Sequence, residues 1–278
     1  MLKVDLHTHS IFSDGTTSPE EVVREAAKAG VKIFALADHD TTAGVLRAKA
    51  ACEKYNIQFV PAVEISTREH DHLHFLAYNI DLNNTHFQQF LQNNRQNRLN
   101  RIKQIIQQLA ESGLDITVEE VLKRAPNTVS RAHVADVLKL KKIVPNRPEG
   151  FRQYLVPGKV GYVPSAGVTV IEAIKEIKKA GGLAVIAHPG LTKEVWNFPA
   201  WVEAGLDGLE VFYPSHSYTL KQELLKIARK YDLFATAGSD YHGPSAGRIT
   251  SLGMNVQSPY SYRISSKLIP KDPCNHSH

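Results

Sequence analysis

Histidine is the residue type that stands out in this sequence, because thirteen of the 278 residues are histidines. Many of them lie in short polar clusters with aspartate or glutamate, and each cluster follows an apolar run. Imidazole and carboxylate groups are ligands for zinc, manganese and iron, without any thiolate. The clusters contain His7, His9, Asp14, Asp38, His39, Asp40, Glu64, His74, His188, Asp240 and His242. So many titratable groups can converge only if cations compensate them, which predicts a metal centre with several ions.

Each cluster also has a simpler explanation when it is taken alone. His7 and His9 point to the same face of a strand, but a His-x-His pair is a weak signal by itself. Glu64 alone would be a capping or surface residue, and His188 alone a hydrogen-bonded core histidine. Their joint occurrence at predicted strand ends favours the metal centre.

The other histidines favour ordinary surface roles. His70 and His72 lie in a charged loop and are expected to be solvated, and His86 begins a polar helix. His72 and His74 share one face of a strand, so either of the two could be the ligand in that region. The remaining candidates for a surface or tail position are His276 and His278.

Seven apolar runs predict the strands that carry these clusters. Strands alternate with amphipathic helices, which is typical of parallel β-α-β units, and the carboxyl ends of such strands share one rim. We therefore expect one basin of polar groups above a closed parallel barrel. The predicted strands are Leu2–Leu6, Val31–Ala37, Gln58–Val63, Leu73–Asn79, Leu183–Ala187, Gly208–Phe212 and Leu233–Ala237.

Helix signals divide the chain into a barrel and an insertion. Ser18, Pro19 and Glu21 form a helix start with a capping box, and Gly30 ends that helix. The alternation stops at residue 82, where a long helical pattern rich in Gln, Asn and Arg begins, and resumes at residue 166. We predict a discontinuous barrel from residues 1–81 and 166–258, an inserted helical subdomain from 82–165 with a loop over 146–165, and a tail without regular structure from 259–278.

The composition is that of a folded globular chain. Apolar residues make up 42% and charged residues 22%, which excludes wholesale disorder. A formal charge of +5 over this length does not by itself indicate a nucleic-acid groove. Cys52 and Cys274 are too few for a disulfide framework. We expect a cytoplasmic protein without a signal peptide, a membrane span or an obligate protein partner.

The clusters resemble the motifs of the PHP (polymerase and histidinol phosphatase) superfamily, in the family's order and over nearly the whole chain. The matching pieces are Asp5-Leu6-His7-Thr8-His9-Ser10, Ala37-Asp38-His39-Asp40, Glu64, His74, Ala187-His188-Pro189 and Gly238-Ser239-Asp240-Tyr241-His242. This resemblance implies a fold of the α/β class, a distorted seven-stranded (β/α)7 barrel with the helical insertion. It also implies a centre of two to three divalent ions that hydrolyses phosphate esters.

The family pattern assigns ligands position by position. It implies that His7, His9, Glu64 and Asp240 hold one ion, that Glu64, His74 and His188 hold a second, and that Asp14, His39 and His242 hold a third. It gives Asp38 and Asp40 no ligand role, and we expect Asp38 to orient a histidine from outside the ligand set. The family implies Mn²⁺ first, with Zn²⁺ or Fe²⁺ as alternatives, and direct catalytic roles for His7, His9, Glu64, Asp240 and His242.

Within this superfamily the sequence is similar to the TrpH-like branch of nucleoside 3′,5′-bisphosphate phosphatases that also act as 5′-to-3′ exoribonucleases. The similarity rests on Ser13-Asp14-Gly15, on Ser130-Arg131-Ala132-His133 and on the segment from Tyr154 to Pro164. The guanidinium of Arg131 offers a planar fork suited to phosphate, and Lys159 adds a cation. The expected substrate-binding residues are Ser130, Arg131, His133, Lys159 and Tyr213, with Phe151, Tyr154 or Tyr213 stacking on a base or packing against the barrel.

These observations favour a phosphoesterase that removes the 3′-phosphate of nucleoside 3′,5′-bisphosphates and acts on short 5′-phosphorylated RNA. Histidinol phosphate or another small phosphomonoester is the alternative substrate. The alternative class is a noncatalytic nucleic-acid-binding module with a structural metal centre. The intact set of ligand candidates argues against that class, since a binding module does not require an open site with several ions.

Overall fold

Two β-sheets of mixed strand direction form the centre of the fold. The computed structural model describes residues 1–247, 251–258 and 260–269. One sheet has the order β3-β2-β1-β9 and the other the order β4-β5-β6-β7-β8. The strands in the described ranges are β1 Leu2–Asp5, β2 Ile33–Phe34, β3 Gln58–Phe59, β4 Ala62–Ser66, β5 His74–Tyr78, β6 Leu183–Ile186, β7 Gly208–Phe212, β8 Phe234–Ala237 and β9 Met254–Val256.

Backbone hydrogen bonds join the first sheet to both edge strands of the second sheet, β4 and β8. The Leu6 N–H donates to the Ala237 carbonyl at 3.0 Å, which links the end of β1 to β8. The Asp40 N–H donates to the Glu64 carbonyl at 2.8 Å, which links the segment after β2 to β4. The polar segments that follow these strands therefore meet at the junctions of the sheets.

The seven-stranded parallel barrel is not confirmed in that form. The pairs β4–β5, β5–β6 and β1–β9 are antiparallel, while the other pairs are parallel. The antiparallel pairing of β4 and β5 follows from the short segment between Ser66 and His74, because parallel neighbours need a crossover of about a dozen residues or more. The structure is a mixed α/β fold with two sheets.

Two further differences concern strand boundaries and the end of the chain. The predicted strand over 58–63 is divided at Pro61, which has no N–H for a sheet ladder, and its halves β3 and β4 belong to different sheets. We predicted no regular element after residue 258, yet a helix follows there whose Ile264 and Leu268 are buried against the core. His276, His278 and Cys274 lie outside the described residues.

Helices cover the sheets and form the insertion. The predicted capping box is confirmed, since the Ser18 hydroxyl accepts from the Glu21 N–H and the Glu21 carboxylate accepts from the Ser18 N–H. The helices are α1 Pro19–Lys28, α2 Val45–Lys54, α3 Thr85–Glu111, α4 Val118–Leu122, α5 Arg131–Leu140, α6 Arg147–Gly150, α7 Val170–Lys179, α8 Phe198–Ala204, α9 Tyr218–Lys230 and α10 Tyr260–Leu268. The segment predicted as a loop over 146–165 contains α6 and a π-helical turn, Phe151–Leu155.

The insertion has a hydrophobic cluster of its own. Ile102, Ile105 and Leu109 of α3 pack with Val134 and Leu138 of α5. Burial of such side chains is worth roughly 1.5–3 kcal/mol each, so the insertion carries its own packing energy. No helix in the described ranges combines the length and apolar character needed to cross a membrane.

Candidate metal centre and substrate cavity

A buried glutamate on β4 lies in the middle of the histidine clusters. Glu64 is fully buried, and its carboxylate oxygens lie 2.9–3.3 Å from nitrogens of five histidine rings. Those rings come from four separate segments of the chain and belong to His7, His9, His39, His74 and His188. A single carboxylate cannot hydrogen-bond well to five rings at once, so this arrangement suits bridging between cations.

Two aspartates complete the centre. The Asp240 Oδ1 atom lies 3.2 Å from His9 Nε2 and 3.4 Å from His242 Nδ1. The Asp14 Oδ1 atom lies 3.2 Å from His242 Nε2 and 3.8 Å from His39 Nε2. These contacts connect the segment after β1, which carries Asp14, with the segment after β8.

The donor atoms of the centre are better placed to bind metal ions than to form hydrogen bonds with one another. Six of its buried polar atoms make no hydrogen bond within the described residues: His7 Nε2, His9 Nε2, Asp14 Oδ1, His39 Nδ1, Glu64 Oε2 and His188 Nδ1. An unsatisfied buried polar atom costs about 1–3 kcal/mol. Divalent cations would accept these lone pairs, and nitrogen with carboxylate oxygen suits Zn²⁺, Mn²⁺ and Fe²⁺.

The electrostatics show the same need for cations. Burial alone would raise the pKa of Glu64, but the His39 and His7 imidazoles hold that pKa well below its usual range. Burial opposes protonation of His9, yet the Asp240 and Glu64 carboxylates raise its pKa to about 9. The Glu64 carboxylate is therefore ionised at neutral pH, while His9 is protonated in the absence of metal. Metal ligation needs neutral imidazole, so metal binding will release protons.

Backbone geometry at the strand ends aims these side chains into the centre. His188 has φ 29° and Asp240 has φ 54°, both in the left-handed region that residues other than glycine rarely adopt. Such conformations cost about 1–3 kcal/mol and persist where the surrounding structure enforces them. The Asp240 N–H donates to the His7 carbonyl at 2.8 Å, which fixes this turn against the end of β1.

One supporting carboxylate was not predicted from the sequence. Glu210 lies fully buried on β7, 3.2 Å from His7 Nδ1, and it accepts the His188 N–H at 2.8 Å. Holding Nδ1 in this way leaves His7 Nε2 for a metal. A Cβ on Gly238 would lie 2.4 Å from the Glu210 carboxylate, so glycine is required there. The available signal was an acidic residue inside the apolar strand Gly208–Phe212.

The aspartates after β2 have structural partners. Asp38 accepts hydrogen bonds from Ser10 and from the Ser13 hydroxyl at 2.6 Å. Within the described residues, no hydrogen bond or ion pair joins its carboxylate to a histidine. Its expected role in orienting a histidine is limited to a relay, since Ser13 Oγ lies 3.4 Å from His9 Nδ1. Asp40 accepts from Arg98 Nε at 2.6 Å and so ties the insertion to the barrel.

A second charged cluster lies where α3 and α5 of the insertion face the centre. Asp71 accepts hydrogen bonds from Arg101 Nη2 at 2.7 Å and from Arg131 Nη1 at 2.9 Å. With Arg98, these arginines line a cavity of about 710 Å³ including its open mouth, which we call the arginine cavity. It is also lined by Asp14, His39, His72, His74, Ser130 and Phe151.

Arg98 and Arg101 were missed in the sequence, although a signal was present. The buried stripe of α3 passes through Leu91, Asn94, Arg98 and Ile102, so two polar residues occupy positions that face inward. Polar residues on an otherwise apolar stripe indicate an internal partner, which for Asn94 and Arg98 is Asp40.

Comparison with known proteins places this centre in a family. The PHP domain family model matches residues 5–183. The chain belongs to the PHP domain family. A Haemophilus influenzae 5′-3′ exoribonuclease is 35% identical over 251 residues, covering 87% of this chain and 90% of the relative. A Chromobacterium violaceum 3′,5′-nucleoside bisphosphate phosphatase is 34% identical over 258 residues, covering 89% and 90%. A Bifidobacterium adolescentis structure described as a metal-dependent phosphoesterase has a TM-score of 0.84 at 33% identity and 93% coverage of both chains.

The PHP structure brings together all nine residues expected as ligands. They fall into four overlapping groups whose donor atoms lie within 4.8 Å of one another. His74 belongs to one of these groups and His72 to none of them, which separates the two candidates. The groups are His9-Asp14-His39-His242, His7-His9-Asp240, His7-Glu64-His188 and His39-Glu64-His74. They overlap more than the three-ion division that the resemblance implied.

The expected substrate-binding residues of this PHP chain are placed less uniformly. Arg131 and Ser130 line the arginine cavity, and the Ser130 hydroxyl donates to Asp14 Oδ2 at 3.2 Å. His133 is buried beside the start of α5, where its Nδ1 accepts the Ser130 N–H at 3.0 Å, so the ring caps a helix instead of lining the cavity. Lys159 lies on an exposed turn and lines neither the arginine cavity nor the centre.

The aromatic candidates also divide. The Tyr213 hydroxyl donates to Asp240 Oδ2 at 3.1 Å, so this ring supports the centre while it lines a cleft beside it. Phe151 lies below the Arg131 guanidinium at 5.7 Å and lines the arginine cavity. Tyr154 packs against the hydrophobic cluster of the insertion itself, which differs from the packing between insertion and barrel that we considered for it.

Three further histidines have partners away from the ligand groups. His70 Nε2 lies 3.2 Å from Glu194 and exposed His86 lies 2.6 Å from Glu176. His216, for which we made no prediction, is buried and accepts the Gly190 N–H at 3.1 Å. It thereby supports the turn that follows His188.

Proposed function

We propose that this chain is a metal-dependent phosphoesterase that removes the 3′-phosphate of nucleoside 3′,5′-bisphosphates and acts from the 5′ end on short 5′-phosphorylated RNA. The observation that carries the proposal is the shared wall of two sites. His39, His74 and Asp14 belong to the centre and also line the arginine cavity. A substrate with two phosphates can therefore place one at the centre and the other among the arginines.

The nine clustered side chains are proposed to hold two to three divalent ions, with Mn²⁺ as the first candidate and Zn²⁺ or Fe²⁺ as alternatives. Bound divalent cations lower the pKa of water and neutralise phosphate oxygens, which is the chemistry that phosphate-ester hydrolysis requires. Glu64 is proposed to bridge, because its two oxygens face different histidines. Glu210 and Tyr213 hold His7 and Asp240 in place from outside.

Arg131 is proposed to bind the second phosphate. Its hydrogen bonds to Asp71 and to the Leu155 carbonyl both use Nη1. Among the described residues no hydrogen bond uses its Nε or Nη2, so two nitrogens of the fork remain for a bidentate phosphate contact. Asp71 keeps the pair Arg101 and Arg131 in position while neutralising only one of the two charges.

A substrate panel tests this function. We expect metal-loaded protein to release phosphate from a nucleoside 3′,5′-bisphosphate much faster than from a 5′-monophosphate, because only the bisphosphate fills both sites. Chelation should abolish the release, and added Mn²⁺ should restore it. Equal efficiency on both nucleotides, or a preference for histidinol phosphate, would contradict the substrate assignment. Phosphate release by chelated protein in which metal analysis finds no metal would contradict the metal-dependent mechanism itself.

A further inference from the structure

A second cleft meets the centre, and none of the described residues that line it belongs to the insertion. We call it the β7 cleft, because the segments after β6 and β7 build its outer part with Leu191, Tyr213, Pro214 and Ser215. It measures about 1030 Å³ including its open mouth. The β7 cleft and the arginine cavity have three lining residues in common, His39, His72 and His74. A phosphate at the centre is therefore adjacent to two cavities with different linings.

A nucleoside bisphosphate uses only one of these two spaces. If its terminal phosphate lies among the arginines, the nucleoside spans the arginine cavity and its 3′-phosphate ends at the centre. Nothing of this substrate extends past the reacting phosphate. The β7 cleft has no role in that reaction beyond holding released phosphate.

An RNA substrate differs at this point. Hydrolysis of its first linkage adds water to phosphorus and breaks the bond from phosphorus to the first O3′, which leaves with a proton. The products are a nucleoside 5′-monophosphate and an RNA with a new 5′-phosphate. The bond that breaks is the same as in the bisphosphate, but the phosphate now carries the next nucleotide. That nucleotide must lie beyond the centre.

We propose that the β7 cleft is the subsite for the nucleotide on the 3′ side of the scissile phosphate. The inference rests on the proposed function and adds the location of the RNA strand. The four residues of the outer cleft are uncharged, and Leu191 is 39% exposed. An uncharged apolar surface beside a phosphate site contacts any base without selecting a sequence. The cleft also holds no carboxylate outside the centre that would repel the next phosphate.

Paired substrates test the subsite. The efficiency, kcat/KM, is measured for a nucleoside 3′,5′-bisphosphate and for the matching 5′-phosphorylated dinucleotide, and the ratio of dinucleotide to bisphosphate is compared among variants. Leu191→Ala removes apolar contact and Ser215→Glu places a negative charge in the cleft. We expect each variant to lower the ratio by about fivefold or more, through KM, because base contact and phosphate repulsion concern the dinucleotide alone.

Control variants separate the cleft from general effects. Leu46→Ala removes an exposed leucine from α2, and Thr219→Glu adds a charge to the exposed start of α9, and both should leave the ratio unchanged. The Leu191 N–H donates to the His188 carbonyl, a backbone bond that Leu191→Ala keeps, but Leu191 still lies on the turn that carries His188. Ser215→Glu, on the segment after β7, therefore decides the question. An unchanged ratio in Ser215→Glu would overturn the subsite. A wild-type protein that hydrolyses neither substrate would instead contradict the proposed function.

Discussion

The metal centre and the arginine cavity are neighbouring charged sites, and the first lacks cations whereas the second lacks anions. Among the described residues, the centre has buried polar atoms that make no hydrogen bond, such as His9 Nε2 and Glu64 Oε2. The arginine cavity has guanidinium groups whose charge is only partly balanced by Asp71 and Asp40. One site therefore requires cations and the other attracts anions. The proposed substrate, a phosphate ester with a second phosphate, would satisfy both sites at once.

The two sites also differ in what holds them. Residues of the centre come from the ends of strands and from turns with enforced backbone geometry, as at His188 and Asp240. The arginines come from helices of the insertion, and Asp71 comes from the segment between β4 and β5. The fold thus places metal-dependent hydrolysis and substrate selectivity on different elements. Substitutions in one site should therefore change one of these two properties and leave the other unchanged.

The largest effect is expected at the bridging carboxylate. Glu64→Ala should remove metal and activity together, since five histidines lose the group that they share. The loss should exceed the roughly 100-fold that removal of an outer-shell partner costs. Metal analysis of the purified variant and phosphate release measure the two properties. If the variant contains no metal and still releases phosphate, the centre does not require cations for activity, and its contrast with the arginine cavity is wrong.

A smaller effect is expected at Glu210, which contacts His7 and not the open centre. Glu210→Gln keeps the shape but weakens the hold on Nδ1, and metal affinity should fall by roughly 10–100-fold. Titration of metal-free protein with Mn²⁺ measures the affinity. Glu176→Gln is the matched control, because Glu176 pairs with the exposed His86 far from the centre. An equal response of both variants would show that Glu210 acts only on general stability.

Arg131 tests the other site. Arg131→Ala should leave metal content unchanged and lower efficiency on the bisphosphate by about 1.5–3 kcal/mol, the worth of a hydrogen bond to a charged group. Little change is expected on a monophosphate, and Arg131→Lys should restore part of the loss because it keeps the charge without the fork. Arg152→Ala, at an exposed arginine paired with Glu149, serves as the control. Equal losses of efficiency on both substrates would show that Arg131 supports the folded structure and does not select the second phosphate.

The sequence was most informative where one segment carries its own signal. The capping box at Ser18 was predicted as observed, because a cap depends on residues that are close together in the chain. The convergence of the nine ligand candidates also followed from their positions after apolar runs. Strand direction around β5 was predicted incorrectly, although the short link to β4 already indicated a hairpin.

Some long-range contacts could not be predicted. Glu210 and Asp71 act through partners that are distant in the chain, such as His7 for Glu210 and Arg131 for Asp71. Nothing in the local pattern names these partners. His133 looked like a phosphate ligand in sequence, yet its ring closes a turn with Ser130 three residues away. The composition of a motif therefore indicated a functional region without distinguishing the residues that bind from those that shape the backbone.

The separation of His7 and Glu210 by 203 residues has a consequence for biosynthesis. Because a ribosome delivers the chain from its amino end, the first histidines emerge long before β7 and β8 exist to enclose them. A nascent chain holds only part of the donor set, and partial sets bind ions weakly and in varied geometry. The centre can acquire its full complement only after β8 and the segment that carries Asp240 and His242 have been synthesised. Incorporation of metal is thus coupled to the closure of β7 and β8 over the first histidines.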